Sequence, residues 1–223
     1  MQHNTELLVV TLVYTLPDKD TDTLAHIRLI SDSMRNATGL VTSQFYHTRE
    51  PQPSYLLLNT WEDEESWQQA RERHNPLDLL LARPDLLATR PRQWYMHYRW
   101  GYSRPARPQL VATTHIATVR ADAFETTHMA WLQELRKLAA QFTFTFGFLA
   151  YGIADTHIEH TKTNAATETL DTDLIKQGNV LLTFMSWASD TERVAFYSSK
   201  AYQRMSALLG QQSDTHMLTL DPS

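Results

Sequence analysis

Residues Ser54–Trp61 read SYLLLNTW, and residues Val180–Trp187 read VLLTFMSW. Both are short apolar runs with the length and composition of a buried strand. Both end in tryptophan, and both lead into an acidic or polar segment that begins a helix, Glu62–Glu65 in one case and Ser189–Glu192 in the other. The recurrence indicates that one supersecondary unit occurs twice in the chain.

The sequence that precedes these two strands repeats as well, at an offset of 102 residues. Each copy has a strand that alternates apolar and polar residues, then an amphipathic helix, then a second strand. The two helices carry His26 and His128 at matched positions, which favours a shared structural role. The aligned segments are Leu8–Leu16 with Leu110–Thr118, Asp22–Arg35 with Phe124–Lys137, and Leu40–Thr48 with Phe142–Ala150.

The sequence that follows the two tryptophan strands completes each copy with a helix and a last strand. Asn75-Pro76 should interrupt the first of these helices, because asparagine caps a helix and proline suits the first position of a new one. Each half therefore reads β-α-β-β-α-β, the order of a ferredoxin-like domain. The helices are predicted at Glu65–His74 and Thr191–Leu209, and the strands at Gln93–Tyr102 and Thr215–Leu220.

The domain organisation follows from the repeat. We predict a first repeat over residues 1–102, a linker over 103–109 that contains two prolines, and a diverged second repeat over 110–223. The second repeat has an insertion at about 155–179, rich in Thr, Asp and Asn, which is typical of a solvent-exposed excursion.

A four-stranded antiparallel sheet with two helices covers only one of its faces, so the other face needs solvent or a partner. The last strand of the first copy, QWYMHYRWGY, has aromatic residues on both faces and is poorly suited to water. The prediction is an α+β fold in which the two repeats pack sheet to sheet as an intramolecular dimeric α+β barrel. Such a chain is a monomer with an internal pseudo-dimer, or a homodimer of it.

Composition excludes several classes of function. The 223 residues include no cysteine, so disulfides, thiolate metal sites and cysteine nucleophiles are absent. A net charge of −5 with scattered basic residues argues against nucleic acid. No apolar run approaches the roughly 20 residues of a membrane span, and the N-terminal residues lack a secretory signal, so we expect a cytoplasmic protein without membrane contact. Six Trp, nine Tyr and eight Phe suit a large-residue core or a small aromatic ligand.

The segment LLLNTWEDEESW, followed by a helix that contains RERH, resembles the antibiotic biosynthesis monooxygenase-like group of the dimeric α+β barrel superfamily. The resemblance covers residues 5–102 well and 110–221 weakly. It implies a cofactor-independent monooxygenase, without metal or flavin, that acts on a small or polycyclic aromatic substrate. The same superfamily includes haem-degrading monooxygenases, chlorite dismutase-like haem proteins and proteins without known activity.

The resemblance implies a pocket that contains Asn59, Trp61 and His74. Tyr55, Asn59 and Trp61 lie on one face of their strand, while Trp67 and His74 share one face of the following helix. In this hypothesis the catalytic residues are Asn59, which can hydrogen-bond a phenolate or oxyanion, and His74, which can take a proton near neutral pH. The substrate-binding residues are Trp61, Tyr55 and Trp67. The second repeat has Met185 and Lys200 in place of Asn59 and His74, so the site is expected in the first repeat.

Four alternatives stay open from the sequence. The tryptophans can be core residues, His74 can be a surface or capping residue, and the barrel can be a non-catalytic binder of small ligands. Haem is the alternative cofactor, with His128, His157 or His160 as the axial ligand, although the first strand lacks the asparagine that haem-degrading members carry. No metal site is expected, since His157-Ile-Glu-His160 does not follow the helical zinc pattern.

Overall fold

The computed structural model describes residues 6–104, 109–142, 144–154, 179–210 and 213–222. Within these ranges each half of the chain has the predicted strand and helix order, with its last helical segment divided in two. The first half contains β1 Leu7–Tyr14, α1 Asp20–Met34, β2 Leu40–Thr48, β3 Ser54–Trp61, α2 Glu64–His74, α3 Pro76–Leu81 and β4 Arg92–Ser103. The second half contains β5 Val111–Val119, α4 Phe124–Gln141, β6 Phe146–Ala154, β7 Asn179–Trp187, α5 Asp190–Tyr197, α6 Lys200–Gly210 and β8 Ser213–Pro222.

The eight strands form one closed antiparallel barrel in the order β1-β3-β2-β8-β5-β7-β6-β4. Each half contributes a ferredoxin-like sheet, and the two sheets join at their edges through β4 with β6 and β2 with β8. The helix-free faces of the two sheets therefore meet across the barrel interior. This confirms the predicted α+β fold of two fused ferredoxin-like repeats. None of the helices in the described ranges combines the length and apolarity needed to cross a membrane.

The barrel interior is filled by residues from both repeats. Leu56 and Leu58 of β3 point inward, while Leu57 between them packs under the helices, because successive side chains on a strand alternate faces. In the second repeat, Phe148 of β6 and Phe184 of β7 are directly paired, and their rings stack with centroids 5.3 Å apart and planes 9° apart. Strands that are buried on both faces explain why β1 and β3 read as nearly continuous apolar runs.

The predicted offset of 102 residues between the first parts of the repeats is wrong by two. Leu7 pairs with Trp61, and Val111 pairs with the repeated Trp187, which gives an offset of 104. A shift of two residues leaves each side chain on the same face of a strand, so strand periodicity could not reveal it. Packing reveals it in the helices, since the offset of 104 matches fully buried Ile27 with fully buried Trp131.

The predicted equivalence of His26 and His128 is wrong, because the two residues are 102 positions apart and the repeats are offset by 104. His26 is half-buried, and its Nε2 lies 3.0 Å from the carbonyl oxygen of Leu79 on α3. His128 is only 3% exposed and packs between the rings of Phe124 and Tyr151, with centroid distances of 5.7 and 5.4 Å. The two histidines therefore have separate structural surroundings.

Two other predicted boundaries also differ. The strand expected at Phe142–Ala150 is β6, which begins four residues later at Phe146. The helix expected across Thr191–Leu209 is two helices, because the Ser199 hydroxyl accepts a hydrogen bond from the Tyr202 backbone N–H (3.1 Å) and starts a new helix there. The predicted interruption at Asn75-Pro76 is confirmed, with Asn75 Oδ1 accepting from the Leu77 N–H at 3.2 Å.

The two seams between the repeats are unequal. β4 pairs with β6 from Trp94 to Ser103, whereas β2 pairs with β8 over only Tyr46–Thr48. Most of the insertion predicted at 155–179, and residues 105–108 of the predicted linker, lie outside the described residues.

Candidate functional site

The candidate site lies between β3 and α2 in the first repeat. Helix α2 is anchored at its start, where the Asp63 carboxylate accepts a hydrogen bond from the Ser66 N–H (2.7 Å) as an N-cap. Gly39, in the turn before β2, has φ 81°, and a Cβ at that position would overlap the side chain of Ser66. Only glycine therefore lets this turn approach α2 so closely, which sets the height of the helix above the sheet.

Asn59 is the most unusual side chain of this layer. It is 1% exposed and points toward the helices, in register with Val9 of β1 and Ser43 of β2. Neither its Oδ1 nor its Nδ2 has a hydrogen-bond partner among the described residues. An unpaired buried amide costs about 1–3 kcal/mol by mutational measures, so a protein rarely keeps one without a reason. A bound molecule with a hydroxyl group could accept from the Nδ2 and donate to the Oδ1.

Two tryptophans and a tyrosine form an aromatic wall beside Asn59. Trp61 and Trp67 are 0% and 1% exposed, with ring centroids 5.3 Å apart, and Trp67 lies 5.9 Å from the ring of Tyr95. The indole Nε1 of Trp61 is buried and, within the described ranges, also has no hydrogen-bond acceptor. Since Asn59 and Trp61 are two residues apart on one strand face, β3 presents two unpaired N–H donors to the same layer.

A hydrogen-bonded chain fixes the phenol of this wall. The Thr11 hydroxyl donates to Gln93 Oε1 (2.9 Å), and the Gln93 Nε2 donates to the Tyr95 hydroxyl (3.0 Å). Gln93 and Tyr95 are residues that sequence reasoning did not name as site residues. Their shared face on β4 could have indicated them, because side chains alternate along a strand and residues two apart lie on the same face. In the structure this is the face that the helices cover.

His74, the last residue of α2, lies in a different environment from Asn59. It lines an open, mostly polar cleft of about 390 Å³ between the end of α1 and α2, and its Nδ1 is buried without a described partner. Ala37 and Ala70 line the same cleft and also pack against the cluster of Trp61 and Trp67. The cleft therefore lies on the outer side of the aromatic wall, separated from it by two of the smallest side chains.

Tyr55 lies on the same face of β3 as Asn59 but at the other end of the strand. Its hydroxyl donates to Asp20 Oδ1 (2.8 Å), and its ring lies 4.9 Å from that of His47. Burial, followed by the hydrogen bond to Asp20, raises the pKa of Tyr55 well above its usual range. The structure thus packs Trp61 against Trp67, with Asn59 two residues away on the same face of β3, and places Tyr55 in a separate cluster with α1.

The corresponding layer of the second repeat has different chemistry. Met185 takes the position of Asn59, and His115 of β5 is 2% exposed with its Nε2 3.0 Å from the Tyr202 hydroxyl. Burial lowers the pKa of His115 to about 4 and raises that of Tyr202 to about 12, so both groups are neutral near pH 7. The neighbouring Tyr197 hydroxyl is 2.6 Å from Thr113 Oγ1. Sequence inspection found no partner for His115, because Tyr202 is 87 residues away in the chain.

Of the three histidines predicted as possible haem ligands, the structure describes only one. His157 and His160 lie outside the described residues, and His128 is the one haem-ligand candidate that the structure describes. Burial lowers the pKa of His128, an effect opposed by Glu125. Across the described ranges, no group of three or more His, Asp or Glu side chains is arranged to hold a metal ion.

Several solved structures have the same fold and align with almost the whole chain. An anthrone oxidase-like protein matches with a TM-score of 0.72 and 13% identity over 99% of this chain and 92% of its own. A monooxygenase candidate from Fusobacterium nucleatum subsp. nucleatum matches with a TM-score of 0.69 and 8% identity over 99% and 94%. A ferredoxin fold protein from Listeria monocytogenes, related to antibiotic biosynthesis monooxygenases, matches with a TM-score of 0.51 and 8% identity over 99% and 96%.

No protein-family model and no curated protein matches the sequence. At these identities the likeness concerns the fold alone. The chain has the fold of monooxygenase-like proteins of this group, as the resemblance in the sequence implied.

Proposed function

We propose that this protein is a monooxygenase that oxidises an electron-rich aromatic molecule, such as an anthrone or a dihydroxynaphthalene, without metal or flavin. The observation that carries the proposal is the buried, unpartnered amide of Asn59 beside the unpartnered indole N–H of Trp61. An aromatic layer with two free donors suits a flat substrate that carries an oxygen and develops negative charge on it.

The reaction balances without a cofactor when the substrate supplies the electrons. Loss of a proton from an anthrone gives an anion, which transfers an electron to O₂ and combines with the reduced oxygen to form a peroxide at the ring carbon. Cleavage of the O–O bond, with loss of the second hydrogen of that carbon, gives a ketone and water. One oxygen atom enters the product, the other leaves as water, and the CH₂ group provides all four electrons.

Asn59 and Trp61 serve this chemistry by stabilising the anion. Their N–H groups donate to the substrate oxygen as it gains negative charge, in a layer from which water is excluded. The aromatic faces of Trp61 and Trp67 stack against the rings of the substrate. The Asn59 Nδ2 and the Trp61 Nε1 are available for this role because neither has another acceptor among the described residues.

His74 is the proposed base, and its cleft is the proposed route for the substrate. Its imidazole takes the substrate proton as the molecule passes from the cleft toward the aromatic wall. Ala37 and Ala70 are the side chains between cleft and wall, and a small movement of α2 over them opens the layer to the substrate. Because Asn59 is 1% exposed in the structure, the substrate reaches it only after such an opening.

Oxygen uptake with anthrone and with 1,5-dihydroxynaphthalene tests the proposal. The purified protein should consume one O₂ per anthrone and place one atom of ¹⁸O₂ in the product. Asn59→Ala should lower kcat by about a hundredfold or more, as expected for loss of an oxyanion donor. His74→Ala should lower kcat by a similar factor, as expected for loss of a general base.

Three results would overturn the proposal. Uptake that is unchanged in both variants would remove Asn59 and His74 from the reaction. Binding of these aromatics without any oxygen uptake would make the barrel a ligand carrier. A Soret band that survives purification, with activity proportional to it, would replace the cofactor-free reaction with haem chemistry.

A further inference from the structure

One mouth of the barrel holds a second cavity, on the opposite side of β3 from Asn59. Its volume is about 410 Å³, within the range of roughly 300–1,000 Å³ that is usual for small-molecule pockets. Both repeats contribute to it, with β2, β3 and β4 on one side and β6 on the other. The residues that line it are Glu6, Val41, Thr42, Gln44, Leu58, Thr60, Tyr98, Trp100, Gly101, Phe146 and Phe148.

A β-bulge in β4 keeps this mouth open. Up to Tyr98 the even-numbered residues of β4 face the barrel interior, but the pairing with β6 shifts by one residue between Tyr98 and Trp100. Gly101 is therefore paired with the inward-facing Phe148, while Trp100 and Tyr102 pack against the core under the second repeat's helices. Bulges re-aim side chains in this way, often beside binding sites.

Gly101 leaves space that another residue would fill. A Cβ built at this position meets no atom nearer than the carbonyl oxygen of Gly147, at 4.0 Å. Without the bulge, a tryptophan or a tyrosine of β4 would face inward here and close the mouth. A glycine within a strand often marks a bulge or the close approach of a ligand or of another backbone. Here the bulge and the glycine lie on the same wall of the cavity.

The lining indicates the chemistry of the ligand. Leu58, Phe146 and Phe148 form apolar walls, and the hydroxyls of Tyr98 and Thr60, 2.8 Å apart, form a polar point beside them. Glu6 is the one charged residue of this lining and disfavours an anion. Burial raises the pKa of Tyr98, which keeps its hydroxyl neutral and able to donate.

We propose that this mouth cavity is a second binding site, which takes an uncharged aromatic molecule of one to three rings and holds its polar substituent at the Tyr98–Thr60 pair. The site is distinct from the proposed oxygenase site, since Leu58 and Thr60 face the barrel interior while Asn59 and Trp61 face the helices.

Fluorescence of N-phenyl-1-naphthylamine, a neutral probe that brightens in apolar surroundings, tests the site in the full chain. The wild type should bind the probe saturably. Gly101→Leu fills the cavity and should weaken binding by about tenfold or more. Gly210→Leu is the matched control, because Gly210 also has open space around it but lies at the end of α6. Gly101→Ala adds a methyl group that contacts nothing closer than 4.0 Å, and should weaken binding by a smaller factor without affecting folding.

Competition and a site variant separate this site from the other. Unlabelled 2-naphthol should displace the probe, whereas the anion 2-naphthoate should do so poorly. Asn59→Leu should leave probe binding intact even where oxygen uptake is lost. No saturable binding, equal binding by wild type and both Gly101 variants, or loss of binding in Asn59→Leu alone would each overturn the proposal.

Discussion

At Asn59 the proposed function and the stability of the fold make opposite demands on one side chain. Its amide is buried without a described partner, whereas the equivalent position of the second repeat holds the apolar Met185. Sequence reasoning could select Asn59 because a polar residue interrupts an apolar strand. The shared strand face of Gln93 and Tyr95 was visible in the sequence, but the hydrogen bond that links Gln93 to Thr11, 82 residues away, was not.

Asn59→Leu should raise the free energy of unfolding by about 1–2 kcal/mol, because it removes an unsatisfied polar group from the core. Urea denaturation of the ligand-free protein measures the change. Met185→Leu is the control, a volume-conserving substitution that should change stability by less than about 1.5 kcal/mol. Destabilisation by Asn59→Leu would mean that the amide has a partner within the folded chain.

His115 should make the protein sensitive to acid. Burial holds its pKa at about 4, while the histidine of the unfolded chain takes up the proton near its usual pKa of 6.5. The stability that depends on neutral His115 is therefore present above pH 6.5 and is lost as the pH falls toward 4, up to about 3 kcal/mol.

Urea denaturation between pH 7 and pH 4 measures this loss, with His115→Gln as the comparison because glutamine can still accept from Tyr202. The variant should lose less stability over this interval than the wild type. Parallel curves for the two proteins would show that His115 does not govern the acid response.

At the scale of elements, the turn before β2 controls the position of α2. Gly39→Ala should destabilise the protein by about 1–3 kcal/mol, because alanine disfavours φ 81° and its Cβ overlaps Ser66. Adding Ser66→Gly to Gly39→Ala removes the overlapping atoms but retains the backbone strain, so it should recover part of the loss. Thermal denaturation measures both variants, and Gly210→Ala serves as a control with open space. Equal stability of Gly39→Ala and wild type would contradict this role of the turn.

Element types were predictable from periodicity, but their alignment between repeats was not. The helix patterns, the two tryptophan strands and the break at Asn75 all follow from local sequence. The offset of 104 residues depends on which residues pair across the sheet, as with Leu7 and Trp61, and on burial of Ile27 and Trp131. The bulge before Trp100 likewise leaves no local signal, because β4 is aromatic on both faces.

At the scale of the whole molecule, the two repeats share one barrel core and should unfold together. Leu58 of the first repeat and Phe184 of the second belong to the same buried cluster. Tryptophan fluorescence and far-UV circular dichroism should therefore give one coincident denaturation curve. Two separate transitions would show that each repeat is stable by itself. The closed barrel could be predicted from the sequence because the last strand of the first repeat was unsuited to water on either face.

Each repeat has a layer of side chains between its sheet and its helices, and the two layers differ in chemistry. The proposed reaction takes place in the layer of the first repeat. The most direct test is oxygen uptake with anthrone by the matched pair Asn59→Leu and Met185→Leu, which alter equivalent positions of the two repeats. The expected result is a loss of about a hundredfold or more in kcat for Asn59→Leu and a rate near that of the wild type for Met185→Leu. Wild-type turnover by Asn59→Leu, or an equal loss in both proteins, would contradict the assignment of the site to the first repeat.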